Sequence, residues 1–476
     1  MNTFGEVTGE TLTKLRGVVG EENAIAEEDK MIDYSHDEMA KDTAISHRPD
    51  VVVKPGSTEE VSEIMRIANE GRIPVTPRGA GTGLSGGAVP VLGGIVLSLE
   101  RLNRILEIDE ENLMMVVQAG VSFMDVYEAL QKTDLFFPPH PGDESAHIGG
   151  AAACNAGGAR CVKYGVMRNY VTGAKVVLAN GDIVELGGKL LKNNTGYNLL
   201  QLLVGSEGTL AVFTEVTLRL LPKPQETVVL LMPYRSTAEA IATVPKVLRS
   251  GIVPLGMEFL ERSPIEPTER LLGKKWPAKE GDAFLLVILV GDKKEGLYSE
   301  CEKIAAIAQG GGALDVLVAG TKREQDVIMD IRSNLYEGLK PETLEIMDIA
   351  VPPSRIPDFV DRVKKTSEKY GVKLPTYGHA ADGNVHVHIM KSGLREEDWR
   401  EKYSRVRDEL LQAGEELDGV ATAEHGVGAY KIGDLSHTLS DREIALMKGI
   451  KRIFDPAGIL NPGKVIPSNR GNREDR

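Results

Sequence analysis

The amino-acid sequence predicts an α+β protein with more than one domain, and three features indicate this fold class. A strand, a helix and a second strand follow one another between residues 50 and 75 and lead into a glycine-dense stretch, residues 77–87. Beyond residue 225, strands alternate with amphipathic helices and glycine becomes rarer, which is typical of a sheet with helices on one face. Pro222-Lys223-Pro224 marks the predicted boundary between these two halves.

The composition narrows the class of protein. A chain of 476 residues with 42% hydrophobic and 26% charged residues predicts roughly two to four globular domains. The net charge of −14 argues against binding to nucleic acid or to an anionic membrane surface. No run of apolar residues is long enough to predict a membrane span, and the polar, acidic N-terminus is unlike a signal peptide. We therefore expect a cytoplasmic protein.

The three cysteines, Cys154, Cys161 and Cys301, are too few for a disulfide framework or for a four-thiolate iron–sulfur site within this chain. Five segments are predicted along the chain. They are an N-terminal helical arm (1–48), a first domain (49–224), a second domain (225–417), a C-terminal segment (418–466) and a flexible tail (467–476).

The first domain begins with a strand at Asp50 to Val53. Ser57-Thr58-Glu59-Glu60 predicts a capping box, and the helix that follows has apolar residues at helical spacing and ends at Gly71. Ile73-Pro74-Val75 then returns as a strand. This strand–helix–strand unit places the glycine-dense stretch at the carboxyl end of a strand, where ligands bind in α/β proteins.

The glycine-dense stretch matches the pattern G-x-G-x-x-G at Gly81, Gly83 and Gly86. The pattern signals a Rossmann dinucleotide site only where it opens a helix, and here Pro90 and the strand at 95–99 follow instead. The Gly-Lys-Ser/Thr of a Walker P-loop is also missing. Bare backbone N–H groups in such a stretch form a concave site for phosphate. We predict a phosphate-binding loop between two strands, and the alternative is a mobile surface loop.

Five further features complete the first domain. A strand covers 113–117, and Ser122 begins a helix that runs to about Lys132. Residues 148–158 are small and follow neither a helical nor a strand period, which suggests backbone packed against a flat ligand. Asn180-Gly181 between two apolar runs predicts a two-residue hairpin turn. Residues 202–212 are predicted to form a strand, a glycine turn and a second strand.

In the second domain the predicted strands include 227–232 and 283–290. The predicted helices include 237–249, 296–308 and 355–370, with a last helix ending near Leu417.

Histidines concentrate in two short stretches, 377–389 and 422–428. A two-residue turn at Asp382-Gly383 would place His379 directly opposite His386 in a hairpin, with Cβ atoms about 5 Å apart. Glu424 could then complete a site of two histidines and one carboxylate that suits zinc, manganese or ferrous iron. Because neighbouring residues of an extended chain point in opposite directions, Glu424 and His425 should have separate roles. The alternative is a set of unrelated core histidines.

A metal ion beside a base suits the oxidation of a 2-hydroxy acid. The acid can chelate the ion through its hydroxyl and one carboxylate oxygen, which lowers the pKa of the hydroxyl. His425 could take the proton near neutral pH. The hydride needs a cofactor, because side chains cannot accept it.

These motifs together resemble a known family. Residues 77–84, 148–158 and 205–210 are similar to the FAD-binding domain of the vanillyl-alcohol-oxidase type. Residues 378–386, 424–426 and 461–464 resemble its branch of FAD-linked D-2-hydroxyacid dehydrogenases, which includes the glycolate oxidase flavin subunit and D-lactate dehydrogenase. The resemblance implies a two-subdomain FAD-binding domain (49–224), an α+β cap or substrate domain with an antiparallel sheet (225–417), and a segment returning to the FAD domain (418–466).

The resemblance also implies roles for individual residues. His379, His386 and Glu424 match the metal ligands, His425 the catalytic base, and Arg332 a substrate-binding arginine. The expected cofactor-binding residues are Pro77, Arg78, Gly79, Ala80, Gly81, Thr82, Gly83, Leu84, Pro141, Gly142, Ile148, Gly149, Gly150, Asn155, Gly157, Gly158, Glu207, Gly208 and Asn461.

Two departures from the family pattern indicate how the flavin is bound and how large the substrate is. Relatives with covalently attached flavin have histidine where Thr82 stands, so non-covalent FAD is expected. Relatives that act on 2-hydroxyglutarate have a lysine near residues 346–348, where this chain has Ile-Met-Asp. A small acid is therefore favoured, D-lactate first and then glycolate.

The expected activity is metal-assisted, FAD-dependent oxidation of a small D-2-hydroxy acid to the 2-oxo acid. Electrons would pass to a quinone, a cytochrome, an electron-transferring flavoprotein or an iron–sulfur subunit, within a possible dimer or hetero-complex. Alternatives are a D-2-hydroxyglutarate dehydrogenase, an NADPH-dependent reductase of cell-wall precursors with the same fold, and a non-catalytic flavin-binding subunit of a redox complex.

Overall fold

A computed structural model describes residues 4–467. The predicted flexible tail, 467–476, lies outside the described residues except for its first position. No described helix is both long and apolar enough to cross a membrane.

The first sheet has the strand order β1-β2-β4-β3, in which β2, β4 and β3 run parallel. Its strands are β1 (Ala24–Ile25), β2 (Val51–Val53), β3 (Val75–Arg78) and β4 (Ile95–Ser98), and helices α1 (Gly9–Val19) and α2 (Thr58–Gly71) pack beside it. The predicted apolar face of α2 is buried. Ser57 caps α2, but the Glu60 carboxylate accepts the Gly56 N–H at 2.7 Å rather than that of Ser57. The capping box is thus displaced by one residue.

The second sheet has the order β5-β6-β10-β8-β9, with neighbouring strands antiparallel. Its strands are β5 (Ile105–Asp109), β6 (Met114–Gln118), β8 (Val171–Val177), β9 (Ile183–Gly187) and β10 (Val212–Arg219), and a short pair, β7 (Leu135–Phe136) with β11 (Leu221–Pro222), lies apart from it. The Leu178 N–H donates to the Asp182 carbonyl. The β8–β9 loop therefore has three residues with Gly181 at φ 86°, and the predicted two-residue turn is wrong.

Two segments of the first half are helical against expectation. The small-residue run contains a helix over 148–154. Its helical period is hidden in the sequence because glycine and alanine stand where larger side chains would not fit: a Cβ at Gly149 would lie 2.5 Å from the Cβ of Ala119, the residue after β6. The segment 199–203 is a helical turn capped by Asn198 instead of the predicted strand. The helices of this half are α3 (Phe123–Leu130), α4 (Ile148–Cys154), α5 (Cys161–Tyr164) and α6 (Leu199–Leu203).

The third sheet has seven antiparallel strands in the order β15-β12-β14-β13-β17-β18-β16, which confirms the predicted antiparallel sheet. The strands are β12 (Glu226–Tyr234), β13 (Gly256–Glu261), β14 (Ala283–Gly291), β15 (Leu317–Ala319), β16 (Thr343–Ala350), β17 (Thr376–His379) and β18 (Asn384–Met390).

Helices cover both faces of this sheet. One face carries α7 (Thr237–Arg249), α9 (Lys294–Gly310), α12 (Ile356–Tyr370) and α13 (Glu396–Glu416). The opposite face carries the shorter helices α8 (Ile265–Leu272), α10 (Lys322–Ser333) and α11 (Leu335–Leu339). The expectation of helices on one face is therefore wrong, because alternate residues of β12 and β14 are apolar on both sides.

The chain finally returns to the first sheet through α14 (Asp441–Phe454). Val75 donates its N–H to the Ile459 carbonyl at 2.8 Å, and Asn461 donates its N–H to the Val75 carbonyl at 2.7 Å. The C-terminal segment thus lies beside β3, the strand that leads into the glycine-dense loop.

Candidate active site

The glycine-dense loop connects the parallel strands β3 and β4, and Pro77 and Arg78 belong to β3. Within the described chain, the backbone N–H groups of residues 79–84 donate to no protein acceptor. Gly81 has φ 80°, and a Cβ there would lie 2.1 Å from Nη2 of Arg78, so only glycine fits. Unpaired N–H groups on a glycine-rich backbone suit the phosphates of FAD.

The Arg78 side chain turns to the N-terminal arm. Its guanidinium donates to the carbonyl oxygens of Asp33 at 2.8 Å and His36 at 2.7 Å. The side chain therefore holds the arm against the loop. Only the backbone of Arg78 is therefore available to contact the cofactor.

The second predicted cofactor segment is α4 with the turn after it. Gly149 and Gly158 are required by packing, since a Cβ at Gly158 would lie 2.2 Å from the His140 carbonyl oxygen, whereas a Cβ at Gly142 or Gly150 would meet nothing within 4 Å. The Asn155 side chain accepts the Arg168 N–H at 3.0 Å. The described chain thus leaves open space at the start of this segment.

Glu207 and Asn461 join separate segments near the loop. The Glu207 carboxylate accepts the N–H groups of Val427 at 2.8 Å and Gly428 at 2.7 Å. The Asn461 amide donates to the carbonyl oxygens of Glu207 at 2.8 Å and Gly87 at 3.2 Å. These contacts fix the glycine-dense loop relative to the stretch that contains Glu424 and His425.

The histidine hairpin differs in register from the prediction. His379 pairs with Asn384, and His386 pairs with Tyr377, so the loop has four residues instead of two. The pairing is shifted by two positions, and a shift by an even number keeps every side chain on its face. His379 and His386 are therefore diagonal neighbours on one face, with ring centroids 5.4 Å apart.

Glu424 lies among three imidazoles. Its Oε1 is 3.3 Å from Nε2 of His386 and 3.9 Å from the Nε2 atoms of both His379 and His425. The segment around Glu424 is an irregular loop, so the expectation that Glu424 and His425 point in opposite directions is wrong. His388, on the same strand, is outside this group and contacts Thr343 and Tyr377, each at 3.1 Å.

Asp348 organises this loop, a role that the sequence did not predict. Its buried Oδ2 accepts backbone N–H groups from Ala423 at 3.0 Å, Glu424 at 2.9 Å and His425 at 2.8 Å. Asp348 pairs with His386 across the β16–β18 ladder, and ligand atoms of Asp348, His386, Glu424 and His425 lie within 4.8 Å of one another. The available signal was an acidic residue in the apolar run 346–349.

Glu258, in β13, is a second missed residue. One carboxylate oxygen is 2.7 Å from Nδ1 of His379, and the other accepts Nε–H of Arg332 at 2.7 Å and also contacts Arg332 Nη2. Burial opposes the ionisation of Glu258, but the charges of Arg332 and His379 outweigh it and lower the pKa of Glu258 to about 2. The Arg332 guanidinium, predicted to bind substrate, is thus already held by a carboxylate.

The pKa values of two histidines of the site, His379 and His425, are shifted in opposite directions. Burial opposes protonation of His379, but Glu258 outweighs it and raises the pKa of His379 well above its usual value. Burial lowers the pKa of His425, although Asp348 opposes this shift. His425 is thus neutral near pH 7 and can accept a proton.

The residues present fit a divalent metal ion. The Nε2 atoms of His386 and His379 lie 3.3 Å and 3.9 Å from Glu424 Oε1, close to the separation of about 3.4 Å between ligands of a tetrahedral ion. The Glu258 contact fixes the orientation of the His379 ring, as a carboxylate does for many metal-binding histidines. Asp348 Oδ1 and the Nδ1 atoms of His386 and His425 are buried without a hydrogen-bond partner in the described chain.

The two regions meet at Gly157, where a Cβ would lie 3.1 Å from Glu424 Oε2. Fold and site together define an FAD-linked oxidoreductase. Residues 49–187 match the family model "FAD binding domain", and residues 223–465 match "FAD linked oxidases, C-terminal domain". The chain belongs to the FAD-linked oxidase family, of the vanillyl-alcohol-oxidase type.

Several known proteins are similar to this chain. A D-lactate dehydrogenase of Archaeoglobus fulgidus is 46% identical over 87% of this chain and 91% of that protein. The glycolate oxidase subunit GlcD of Bacillus subtilis is 38% identical over 98% of this chain and 99% of its own length. The structure of p-cresol methylhydroxylase superposes with a TM-score of 0.78 at 19% identity, covering 97% of this chain and 98% of that one. The last match supports the predicted fold alone.

Proposed function

We propose that this protein oxidises a small D-2-hydroxy acid to the corresponding 2-oxo acid, with D-lactate favoured over glycolate. FAD is non-covalently bound, and a divalent ion, zinc, iron or manganese, assists the reaction. Homology to D-lactate dehydrogenases at 37–46% identity supports the substrate class.

The observation that carries this proposal is the convergence of His379, His386 and His425 on Glu424, directly beside Gly157 of the predicted flavin-binding segment. A flavin-binding subunit without catalysis has no need for this group. The 2-hydroxyglutarate alternative is disfavoured because β16 supplies Asp348, an anion, where a second substrate carboxylate would need a cation.

In this proposal each side chain has one role. His379, His386 and Glu424 hold the ion, and Asp348 and Glu258 hold those residues in place. His425 takes the proton from the substrate hydroxyl, because its lowered pKa leaves it neutral. When bound, FAD supplies the hydride acceptor and the ion supplies Lewis acidity at the hydroxyl. Arg332, whose Nε and Nη2 are held by Glu258, offers its remaining Nη1 to the substrate carboxylate.

The proposed glycine-loop contacts hold the cofactor through backbone N–H groups of residues 79–84. Electrons then leave for an external acceptor, because three cysteines cannot ligate an iron–sulfur cluster within the chain. An electron-transferring flavoprotein or an iron–sulfur subunit is the proposed partner, in the cytoplasm. The name of the Bacillus subtilis relative, a subunit, supports assembly with other chains.

The test is anaerobic reduction of the bound flavin. D-Lactate should bleach the flavin absorbance of the purified protein, and L-lactate should do so far more slowly. His425→Gln should slow the bleaching by about 10²–10⁴-fold, whereas His437→Gln, on the surface beside Glu415, should leave the rate unchanged. Absence of bleaching by every small 2-hydroxy acid tested, in both enantiomers, would refute the proposed activity.

A further inference from the structure

A cavity of about 330 Å³ lies at the seam between the first half of the chain and the cap sheet. Its walls are mostly aromatic and aliphatic, and they include Tyr127, Phe136, Tyr164, Leu255 and Val290. Volumes of this size accommodate small organic ligands. The contributing elements are α3, β7, α5 and the strands β12 and β14.

Arg160 is the charged group that distinguishes this cavity. Its guanidinium makes one long hydrogen bond, 3.4 Å to the Pro138 carbonyl, and forms no ion pair with a carboxylate in residues 4–467. In the cap, by contrast, the guanidinium groups of Arg332 and Arg407 are each held by carboxylates. A partly buried cation without a counter-ion is costly, and an anionic ligand would remove this cost.

The other polar groups near the cavity are a tyrosine, a neutral histidine and one further cation. The Tyr127 hydroxyl donates to the Pro139 carbonyl at 2.6 Å and lies 3.0 Å from Nδ1 of His140. Burial, together with the positive charges of Arg160 and Arg332, lowers the pKa of His140 to about 3, so that ring is neutral near pH 7. Lys223, at the rim, adds a second cation. Glu144, whose side chain is half exposed, has its Oε1 3.7 Å from the same Nδ1 atom of His140.

The segment that carries Arg160 also touches the candidate active site. A Cβ at Gly157 would lie 3.1 Å from Glu424 Oε2, and the Ala159 carbonyl packs against Gly256 of β13. A ligand held by Arg160 therefore contacts the same four-residue stretch, 157–160, that approaches Glu424.

We propose that Arg160 and this cavity bind an organic carboxylate with an apolar side chain. The carboxylate pairs with the guanidinium, and the apolar part packs on the aromatic wall. The bound acid is either the 2-hydroxy acid substrate, on its way to the active site, or a separate organic acid. Only the identification of the ligand as the substrate rests on the proposed function.

Benzoate is a suitable probe, and benzamide is its neutral counterpart. Isothermal titration calorimetry on the FAD-containing protein should show benzoate binding and little benzamide binding. Arg160→Gln should weaken benzoate binding about tenfold or more, the usual effect of losing a hydrogen bond to a charged group, and Arg160→Lys should retain most of it. Arg362→Gln is the matched control, since Arg362 lines a distant cavity and pairs with Glu416.

Flavin content and melting temperature equal to wild type show that Arg160→Gln is folded. Equal benzoate affinity in this variant and the wild type would overturn the proposal, as would equal affinity for benzoate and benzamide. A higher KM for D-lactate in Arg160→Gln, with competitive inhibition by benzoate, identifies the ligand as the substrate. Noncompetitive inhibition by benzoate identifies the ligand as a separate organic acid. Failure of every hydroxy acid to reduce the flavin refutes the proposed function alone, because the benzoate titration needs no turnover.

Discussion

The Oε1 atom of Glu258 lies 2.7 Å from Nδ1 of His379, deep in the cap sheet. The other carboxylate oxygen accepts hydrogen bonds from Arg332, so one fully buried anion holds a metal-ligand candidate and a substrate-binding candidate together. The role of this residue is to orient groups at the site, since no exposed surface of Glu258 remains for a ligand.

Replacing Glu258 by glutamine should destabilise the protein by about 3 kcal/mol or more, because Arg332 and His379 would lose their buried counter-ion. Metal content should fall as well, since second-layer partners of metal ligands typically contribute about 10–100-fold to affinity. Thermal denaturation and metal analysis of the purified variant measure the two effects.

The destabilisation should depend on pH in a defined direction. The pKa of Glu258 is lowered to about 2 from 4.5, so its contribution is complete above about pH 4.5 and is lost as the pH falls toward 2. The difference in melting temperature between wild type and Glu258→Gln should therefore shrink between pH 6 and pH 3. Glu261→Gln is the control, because Glu261 is on the same strand but pairs with the half-exposed Lys364. An equal effect of both substitutions would contradict this role.

The sequence predicted the elements of the site better than their pairing. The alternation of residues 384–389 placed His386 on a defined face, and the even register shift preserved that face although the hairpin loop was longer than expected. The roles of Asp348 and Glu258 were not predicted, because each depends on the pairing of strands that are distant in sequence. Strand β16 pairs with β18, and β13 pairs with β17. Local periodicity carries no information about which strands become neighbours.

The prediction of individual helices was also limited by what the local sequence contains. Helix α2 was predictable because Ser57 caps it and its apolar residues repeat at helical spacing. Helix α4 was not, since glycine and alanine give no contrast between a buried and an exposed face. Its helical form depends on close packing against Ala119, which only the assembled sheet provides.

Substituting His386 by alanine should remove bound metal while FAD is retained. The Nε2 atom of His386 is 3.3 Å from Glu424 Oε1. The ring lies on the cap strand β18 and, among residues 4–467, forms no hydrogen bond or ion pair with the glycine-dense loop. The metal-to-flavin ratio, from elemental analysis and absorbance, measures this. His388→Gln is the control on the same strand, because His388 contacts Thr343 and Tyr377 instead of Glu424. Equal metal content in His386→Ala and wild type would remove His386 from the ligand set.

Asp348→Asn should slow flavin reduction by D-lactate at least about tenfold. The substitution preserves shape but removes the charge that three consecutive N–H groups of residues 423–425 share, and hydrogen bonds to charged groups contribute about 1.5–3 kcal/mol each. Stopped-flow absorbance measures the rate. Asp358→Asn, on the exposed surface of α12 beside Arg355, should have no effect. A rate for Asp348→Asn within twofold of wild type would show that the loop keeps its geometry without this carboxylate.

Precipitation with trichloroacetic acid should release all flavin into the supernatant. Residues 79–87 contain no histidine, cysteine or tyrosine to which the flavin could be attached, and Thr82 offers only a hydroxyl. The absorbance of supernatant and pellet, after washing, measures the partition, and heat release in neutral buffer is the control for incomplete extraction. Yellow colour in the washed pellet would contradict non-covalent binding. His147 would then be the candidate attachment site. A Cβ at Gly79 would lie 3.3 Å from the His147 Cβ, and the buried Nδ1 of the His147 ring has no hydrogen-bond partner among residues 4–467. His147→Ala would then return the flavin to the supernatant.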